Sequence, residues 1–348
     1  MKAFVTGSTG LLGSNLVQLL VEQGHEVKAL ARSREKAQRV LGNLPVEIVV
    51  GDMDNIPAFA SAMAGVDVVF HAAAYFREYY QPGDHWKTLE AINIKGTVEI
   101  LKQAEKHGVK KVIYVSSSGV IGPRSDGQLS DESTPPGELA HNNLYFRSKV
   151  VAEEAVYEFL KTSSLPVVLI LPGWMFGPGD TGPTSAGQIV LDLMDRKLPG
   201  IPPGGNTVAD ARDVAQGMIN AVERGRSGER YIIGGRYYDM GTIAKTVEKV
   251  SGVPAPKFHF PYPILLAFAR LSETMARLRG TETLITVEGV KTLADPIKVS
   301  SAKAERELGV TFRPLEDTLR DEVAWFRQQR AGATQTSTVK TVKQPAKA

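Results

Sequence analysis

The feature that most restricts this chain is an alternation that starts at its second residue. Short, nearly continuous apolar runs stand at 2–6, 26–31, 46–50, 66–71, 112–116 and 167–171. Stretches with helical periodicity separate them, among them 11–23 and 87–107. Strands that are apolar on both sides must be covered on both faces, and helical crossovers supply that cover. The pattern predicts an α/β fold built on a doubly wound parallel sheet. No internal repeat of solenoid period interrupts it.

Beyond residue 171 the texture changes. The stretch from Pro172 to Gly205 is rich in proline and glycine and reads as loop. A helical pattern returns at 211–223, and Tyr231-Ile232-Ile233-Gly234-Gly235 reads as a further strand. The remainder to about 330 mixes helices with one short extended piece at 297–300. These shifts predict a sheet domain from 1–172 plus about 211–235. A smaller substrate-binding lobe would come from about 173–210 plus 236–330. The last residues, 331–348, are rich in Thr, Gln, Lys and Ala without an aromatic, and a disordered tail is expected there.

Composition excludes several functions. The chain has no cysteine, so a disulfide framework, a thiol nucleophile and a Cys-ligated metal are ruled out. His71, His85 and His141 have no metal-ligand spacing, and no metal site is expected. Net charge is +3, and Lys340, Lys343 and Lys347 of the tail account for it, so the body sums to 3 − 3 = 0. A neutral body gives no electrostatic case for nucleic acid. No leader precedes the first strand and no run spans a membrane, so a cytoplasmic protein is expected. The longest apolar stretch, Phe260 to Leu271, is broken by Arg270. It reads first as an ordinary core helix and second as a partly exposed amphipathic helix near the substrate.

Two clusters carry the chemistry. The first is Thr6-Gly7-Ser8-Thr9-Gly10-Leu11-Leu12-Gly13, a glycine turn between a strand and a helix. Gly7 would permit the tight turn, Gly10 the approach of a pyrophosphate, and Gly13 close helix–strand packing. The N–H groups at the start of the helix would face phosphate. That context gives the Rossmann type of sheet and a dinucleotide. At the end of the second strand stands Leu30-Ala31-Arg32-Ser33-Arg34, with no acid for a ribose 2′-hydroxyl. Arg32 can hold a 2′-phosphate, which favours NADP (as NADPH) over NAD. The competing reading of Arg32 is a solvated surface arginine. Asp52 and Met53 follow the third strand, where Asp52 could accept from adenine. His71-Ala72-Ala73-Ala74 ends the fourth, with small residues that suit either cofactor backbone contact or close packing.

The second cluster is Tyr145 and Lys149, one helical turn apart, with Ser116-Ser117-Ser118 upstream. A nearby ammonium favours a phenolate, so Tyr145 can serve as general acid or base near neutral pH. A serine can hold the substrate oxygen meanwhile. Asn93 lies on the inward face of its helix, to bind a relay water or to tie the helix to its neighbour. No Gly-x-Ser-x-Gly elbow surrounds Ser117, which argues against a serine hydrolase.

Taken in order, these motifs resemble the extended short-chain dehydrogenase/reductase family, also called the NAD-dependent epimerase/dehydratase superfamily. The resemblance covers about 1–330. Its motifs are Thr6-Gly7-x-x-Gly10-x-x-Gly13, Asp52, His71-Ala72-Ala73-Ala74, Asn93-x-x-Gly96-Thr97, the serine cluster, Tyr145-x-x-x-Lys149 and the stretch from Pro172 to Gly179. It implies Ser117 as the catalytic serine, with Ser118 as fallback, Tyr145 as the acid/base, and Lys149 as a ligand of the nicotinamide ribose. It also places Pro172, Gly173 and Met175 beside the nicotinamide ring. Within the family the chain is similar to dihydroflavonol-4-reductase-like reductases and to hopanoid-associated sugar epimerases. Ser118-Gly119 stands where dehydratases carry Asp-Glu, so sugar dehydration is not expected. Asn206 stands where sugar-nucleotide epimerases usually carry a diphosphate-binding arginine, with Arg212 nearby but out of register.

The expected function is therefore an NADPH-dependent reduction of a small or medium carbonyl compound. The alternatives are a (nucleotide-)sugar epimerase with tightly held cofactor, and a dinucleotide-binding sensor without chemistry. A homodimer joined through the helices of 87–107 and 145–160 is expected from the resemblance.

Overall fold

The computed structural model describes residues 1–76, 85–279, 283, 286–294 and 298–341. Its strands are β1 (Lys2–Thr6), β2 (Glu26–Ala31), β3 (Glu47–Val50), β4 (Val68–His71), β5 (Lys111–Val115), β6 (Val167–Pro172), β7 (Trp174–Phe176), β8 (Gly205–Asp210), β9 (Arg230–Ile233) and β10 (Arg236–Asp239). The helices on the sheet are α1 (Leu11–Glu22), α2 (Arg34–Leu41), α3 (Trp86–Leu89), α4 (Gly96–Lys106), α5 (Glu138–Asn142) and α6 (Leu144–Leu160). Then come α7 (Ser185–Met194), α8 (Ala211–Arg224), α9 (Met240–Ser251), α10 (Tyr262–Arg279), α11 (Val287–Ala294), α12 (Ala302–Leu308) and α13 (Leu315–Thr341).

The expected doubly wound sheet is present, in the order β3-β2-β1-β4-β5-β6-β9. Every pairing in it is parallel. The winding reverses between β1 and β4, and ligands of such sheets sit beyond the carboxyl ends of the strands at that switch. Both faces are covered. Ala3 and Val5 of β1 pack toward Leu12, Leu16 and Leu20 of α1 and Val214 and Met218 of α8. Phe4, between them, points the other way to Phe59, Met63 and Ile100. This alternation is the two-residue period of a strand, with both faces apolar. The larger of these side chains, valine and above, each contribute about 1.5–3 kcal/mol on burial.

A second sheet, β10-β8-β7, continues from the end of β6. Its core joins Phe176, Val208, Ile243 and Val247 to Leu319, Val323 and Phe326 of α13. The two sheets are linked by the short stretch from Pro172 to Met175. Asn15 of α1 also donates to the Pro178 carbonyl at 2.8 Å, which ties the loop after β7 to the glycine turn.

Several expectations need correction. Residues 302–310, read as part of the lobe, return to the large sheet, where Ala304, Leu308 and Val310 join its core. Of the tail read as disordered, residues 331–341 continue α13, and residues 342–348 lie outside the described residues. Leu315, Leu319, Val323 and Phe326 nucleate that helix by burial, after which propagation costs little. The helix expected over 87–107 is broken by a π turn at Glu90–Lys95 between α3 and α4. Of the piece at 297–300, Val299 bridges to Ser130, and Ile297 lies outside the described residues.

The apolar run from Phe260 to Leu271 is not a core helix. In α10 it lies on a small satellite core of Leu265, Ala269 and Val290. That core covers one stripe of the helix and leaves Ile264, Phe268 and Leu271 exposed. Among the described residues, no helix is long and apolar enough to cross a membrane.

Candidate active site

The glycine turn stands at the switch point, at the carboxyl end of β1. Gly7 has φ +69°, and a Cβ there would come within 2.8 Å of the Ala72–Ala73 peptide. A Cβ on Gly13 would lie 2.1 Å from the Gly7 carbonyl oxygen. Protein packing thus explains two of the three glycines. It does not explain Gly10, which is exposed and whose Cβ would meet only the Gly7 oxygen, at 3.4 Å. Space left open at that position fits a ligand's close approach. Ser14 N–H closes onto the Gly10 carbonyl at 2.9 Å, so the amides of Leu11, Leu12 and Gly13 form the open end of α1. Their side chains are buried, and any cofactor contact from Leu11 and Leu12 is left to the backbone. Thr9 is half-buried beside them. Ser8 fastens the turn to β2 by donating to the Leu30 carbonyl at 2.7 Å.

Thr6 and His71 differ from the expectation. Their side chains are buried and committed to each other. The Thr97 hydroxyl donates to the Asn93 carbonyl at 2.7 Å, so it must accept from His71 Nε2–H, 3.1 Å away. His71 Nδ1 is then the acceptor for the Thr6 hydroxyl at 2.8 Å. Thr6 in turn accepts from Ala73 N–H at 3.1 Å. Each member has one role, which fixes the tautomer. Burial, and secondly the Lys149 ammonium, push the His71 pKa down to about 3, so the ring stays neutral. Thr6 and His71 are struts that hold β1, β4 and the π turn together. Ala72 and Ala73 are half-buried.

Asn93 sits in the π turn and is 1% exposed. Its Oδ1 accepts from Tyr75 N–H at 2.8 Å, and its Nδ2 donates to the Tyr75 carbonyl at 3.2 Å. Nδ2 also donates to Ser148 Oγ at 3.1 Å. The amide therefore ties the chain after β4 to α6, one residue from Lys149. Of the two readings of Asn93, this geometry carries the tie; π turns recur at functional sites.

The two halves of the second cluster are brought together by β5 and α6. Asn143 caps α6, accepting from Tyr145 N–H at 3.0 Å and Phe146 N–H at 3.1 Å. Lys149 is 2% exposed, and its Nζ donates to the Val115 carbonyl at 2.8 Å, at the end of β5. It also lies 5.1 Å from the Tyr114 ring centre. Burial pulls its pKa down to about 8, against the opposing pull of Glu153. Ser117 stands two residues beyond the end of β5 and is half-exposed; its Oγ accepts from Gly119 N–H at 3.2 Å. Ser116 faces the other way and donates to Glu153 Oε1 at 2.5 Å. Glu153 is paired with Arg230 at 3.3 Å, and burial raises its pKa.

Sequence reading missed the aromatic wall of this site. Phe76 stands 4.7 Å from the Tyr145 ring, and Phe146 5.5 Å from it. A Cβ on Gly119 would strike the Phe146 ring at 2.3 Å, so Gly119 is what admits that ring. The Tyr145-Phe146 pair was a visible signal; Phe76, far away in sequence, was not. Ser148 and Glu153 were also missed, since neither belongs to a spaced motif.

The remaining expected residues lie around the edge. Arg32 is exposed at the end of β2. Asp52 is half-buried, and its Oδ1 accepts from Met53 N–H at 2.6 Å. Met53 itself is packed in the core. Pro172 is buried, and a Cβ on Gly173 would lie 2.5 Å from the Gly234 oxygen, so packing alone accounts for Gly173. Met175 is half-buried at the step between the sheets. Asn206 turns its Oδ1 to Thr207 N–H at 2.8 Å. Arg212 is held by Asp210 and Asp321, each at 2.7 Å, rather than directed to a diphosphate. Among the described residues, no three His, Asp or Glu side chains could hold a metal.

A parallel sheet with a glycine turn at its switch point and a Tyr–Lys pair on α6 defines an NAD(P)-binding enzyme fold of the extended short-chain dehydrogenase/reductase kind. The chain belongs to the NAD dependent epimerase/dehydratase family, whose model matches residues 3–234. It is 34% identical to a Synechocystis protein named "Putative dihydroflavonol 4-reductase", over 95% of this chain and 96% of that one. It is 29% identical to sterol demethylase protein B of Methylococcus capsulatus, over 94% and 99%. The crystal structure of gox2253 superposes with a TM-score of 0.79 at 34% identity, over 94% and 98%.

Proposed function

We propose that the protein is an NADPH-dependent reductase of a carbonyl group. The observation that carries this reading is the buried Lys149 ammonium, tied to the end of β5 and one helical turn from Tyr145. A bound nicotinamide would supply the hydride. The open amides of Leu11, Leu12 and Gly13 would hold its phosphates, and the free space at Gly10 would admit them. Arg32 would pair the 2′-phosphate, and Asp52 would face the adenine end. Pro172, Gly173 and Met175 would border the ring at the step between the sheets.

Ser117 would hold the carbonyl oxygen, and Tyr145 would deliver a proton to it. Lys149 would stabilise the resulting phenolate and bind the ribose with the donors that Val115 leaves over. Asn93 would act through position, by fixing α6 against the chain after β4. Phe76 and Phe146 flank the Tyr145 ring and would suit an apolar substrate. The similarity to a sterol demethylase protein supports the same substrate class. Asn206 and the occupied Arg212 speak against a nucleotide-sugar epimerase.

The test is titration of the purified protein with NADPH and NADH, then absorbance at the reduced-nicotinamide band with a panel of apolar aldehydes and ketones. Consumption of added NADPH is expected. Binding without consumption would move the reading to an epimerase or a sensor. Tyr145→Phe should lower turnover by at least about 100-fold and leave NADPH affinity nearly unchanged. Equal loss of both would remove Tyr145 from the proton-transfer role.

A further inference from the structure

The helix α10 carries an unusual load of apolar surface. Ile264, Phe268, Leu271, Met275 and Leu278 are 55%, 46%, 57%, 38% and 81% exposed. Their spacing of four, three, four and three residues makes one straight stripe along the helix. Phe258, just before the helix begins, is also 52% exposed. A separate stripe of α10, Leu265, Ala269 and Ala276, roughly 120° round the helix, is the one that packs on the protein. A contiguous apolar face of this kind marks a site of interaction.

The charges bordering the stripe identify the partner. By helical periodicity Arg279 borders the stripe, while Arg270 and Arg277 lie roughly 120–140° round the helix from its centre, beyond the exposed Ala267 and Thr274. All three are exposed. The one acid of the helix, Glu273, is half-buried, and its carboxylate accepts from Val287 N–H at 2.8 Å. The outer face therefore offers leucine, isoleucine, phenylalanine and methionine between arginines, with no acid among them. A second copy of this face would bring arginine against arginine and offer no carboxylate to pair with. An anionic lipid surface satisfies both parts: the stripe enters the acyl boundary, and the arginines reach phosphate. A helix too polar to cross a membrane can still lie in its surface.

We infer that α10 is an interfacial membrane-binding helix, which seats the protein on anionic lipid through the stripe from Ile264 to Leu278. This inference stands on the exposed face alone and does not rest on the reductase reading.

The experiment is flotation of the full chain with phosphatidylcholine vesicles and with vesicles of phosphatidylcholine and phosphatidylglycerol. Binding to the anionic vesicles is expected, weakening with salt. The double variant Leu271→Glu/Leu278→Glu should bind at least about tenfold less. Should that variant fail to fold, Arg270→Gln/Arg277→Gln/Arg279→Gln gives the second reading. It keeps the apolar stripe and should lose the preference for anionic over neutral vesicles. Failure to float with either vesicle overturns the inference, and so does undiminished binding by both variants. A dimer that the glutamate variant dissociates, without any vesicle binding, would assign the face to a second copy instead.

Discussion

The glycine turn and α10 are both rich in small and apolar residues, yet they answer to different constraints. In the turn, Gly7 and Gly13 are fixed by their neighbours: a Cβ on Gly13 would have 2.1 Å to the Gly7 oxygen. On α10, Leu278 is 81% exposed and touches little. Composition alone does not separate the two. The first is apolar and small because two elements cross there. The second is apolar although its own fold leaves it uncovered, so its reason must lie outside the chain.

That contrast can be broken by experiment. Gly13→Ala should have the largest effect, a loss of at least about 4 kcal/mol of stability or of folded protein altogether, since backbone on both sides would have to move. A melting curve close to wild type would show that the turn is looser than its geometry says. Next comes Lys149→Met. Turnover should fall by at least about 100-fold. The melting temperature should nevertheless not fall, because a buried charge is removed. The sign follows from the pKa, lowered from 10.5 to about 8 in the folded state. The cost of burying the ammonium is fully present below about 8 and is relieved as pH rises toward 10.5. It amounts to about 3 kcal/mol. The variant's advantage over wild type should shrink across that window, and a constant difference would point to packing instead.

Gly10→Ala sharpens the comparison within the turn itself. Gly10 has φ −89° and ψ 174°, which alanine adopts without strain. The variant should melt with the wild type and bind the dinucleotide at least about tenfold more weakly. Unchanged affinity would mean that nothing approaches there. Leu271→Ser, on α10, should be the smallest, within about 0.5 kcal/mol of wild-type stability by denaturant titration. A larger loss would mean that the stripe already has a partner within the protein.

Most of the large sheet was legible because its strands are buried on both faces and read as unbroken apolar runs. Strand limits shifted by a residue or two, as at β4, which begins at Val68 where burial becomes complete. The glycine turn and the Tyr145–Lys149 spacing were legible because local geometry demands both. The arrangement around them was not. Phe76 meets Tyr145 through tertiary packing, and no periodicity reports that. Thr6 and His71 sit inside the motif a cofactor would touch, but their side chains turn inward to bond each other. The exposure of α10 was hidden for another reason: with apolar residues on two separate stripes, its sequence resembles a core helix.

The π turn at Glu90–Lys95 has one more consequence. It inserts a single residue into the winding, so the helical halves before and after it are out of phase by about 100°. Asn93 can thereby address α6 while Thr97, four residues on, addresses His71 beneath the sheet edge. Deleting one residue there would restore an ordinary helix and leave the chain almost the same length. It would also rotate Trp86 and Leu89 away from their packing, or Asn93 and Thr97 away from their partners. The segment thus tolerates substitution more readily than any change of count, and insertions or deletions should be scarce in it wherever the site is kept.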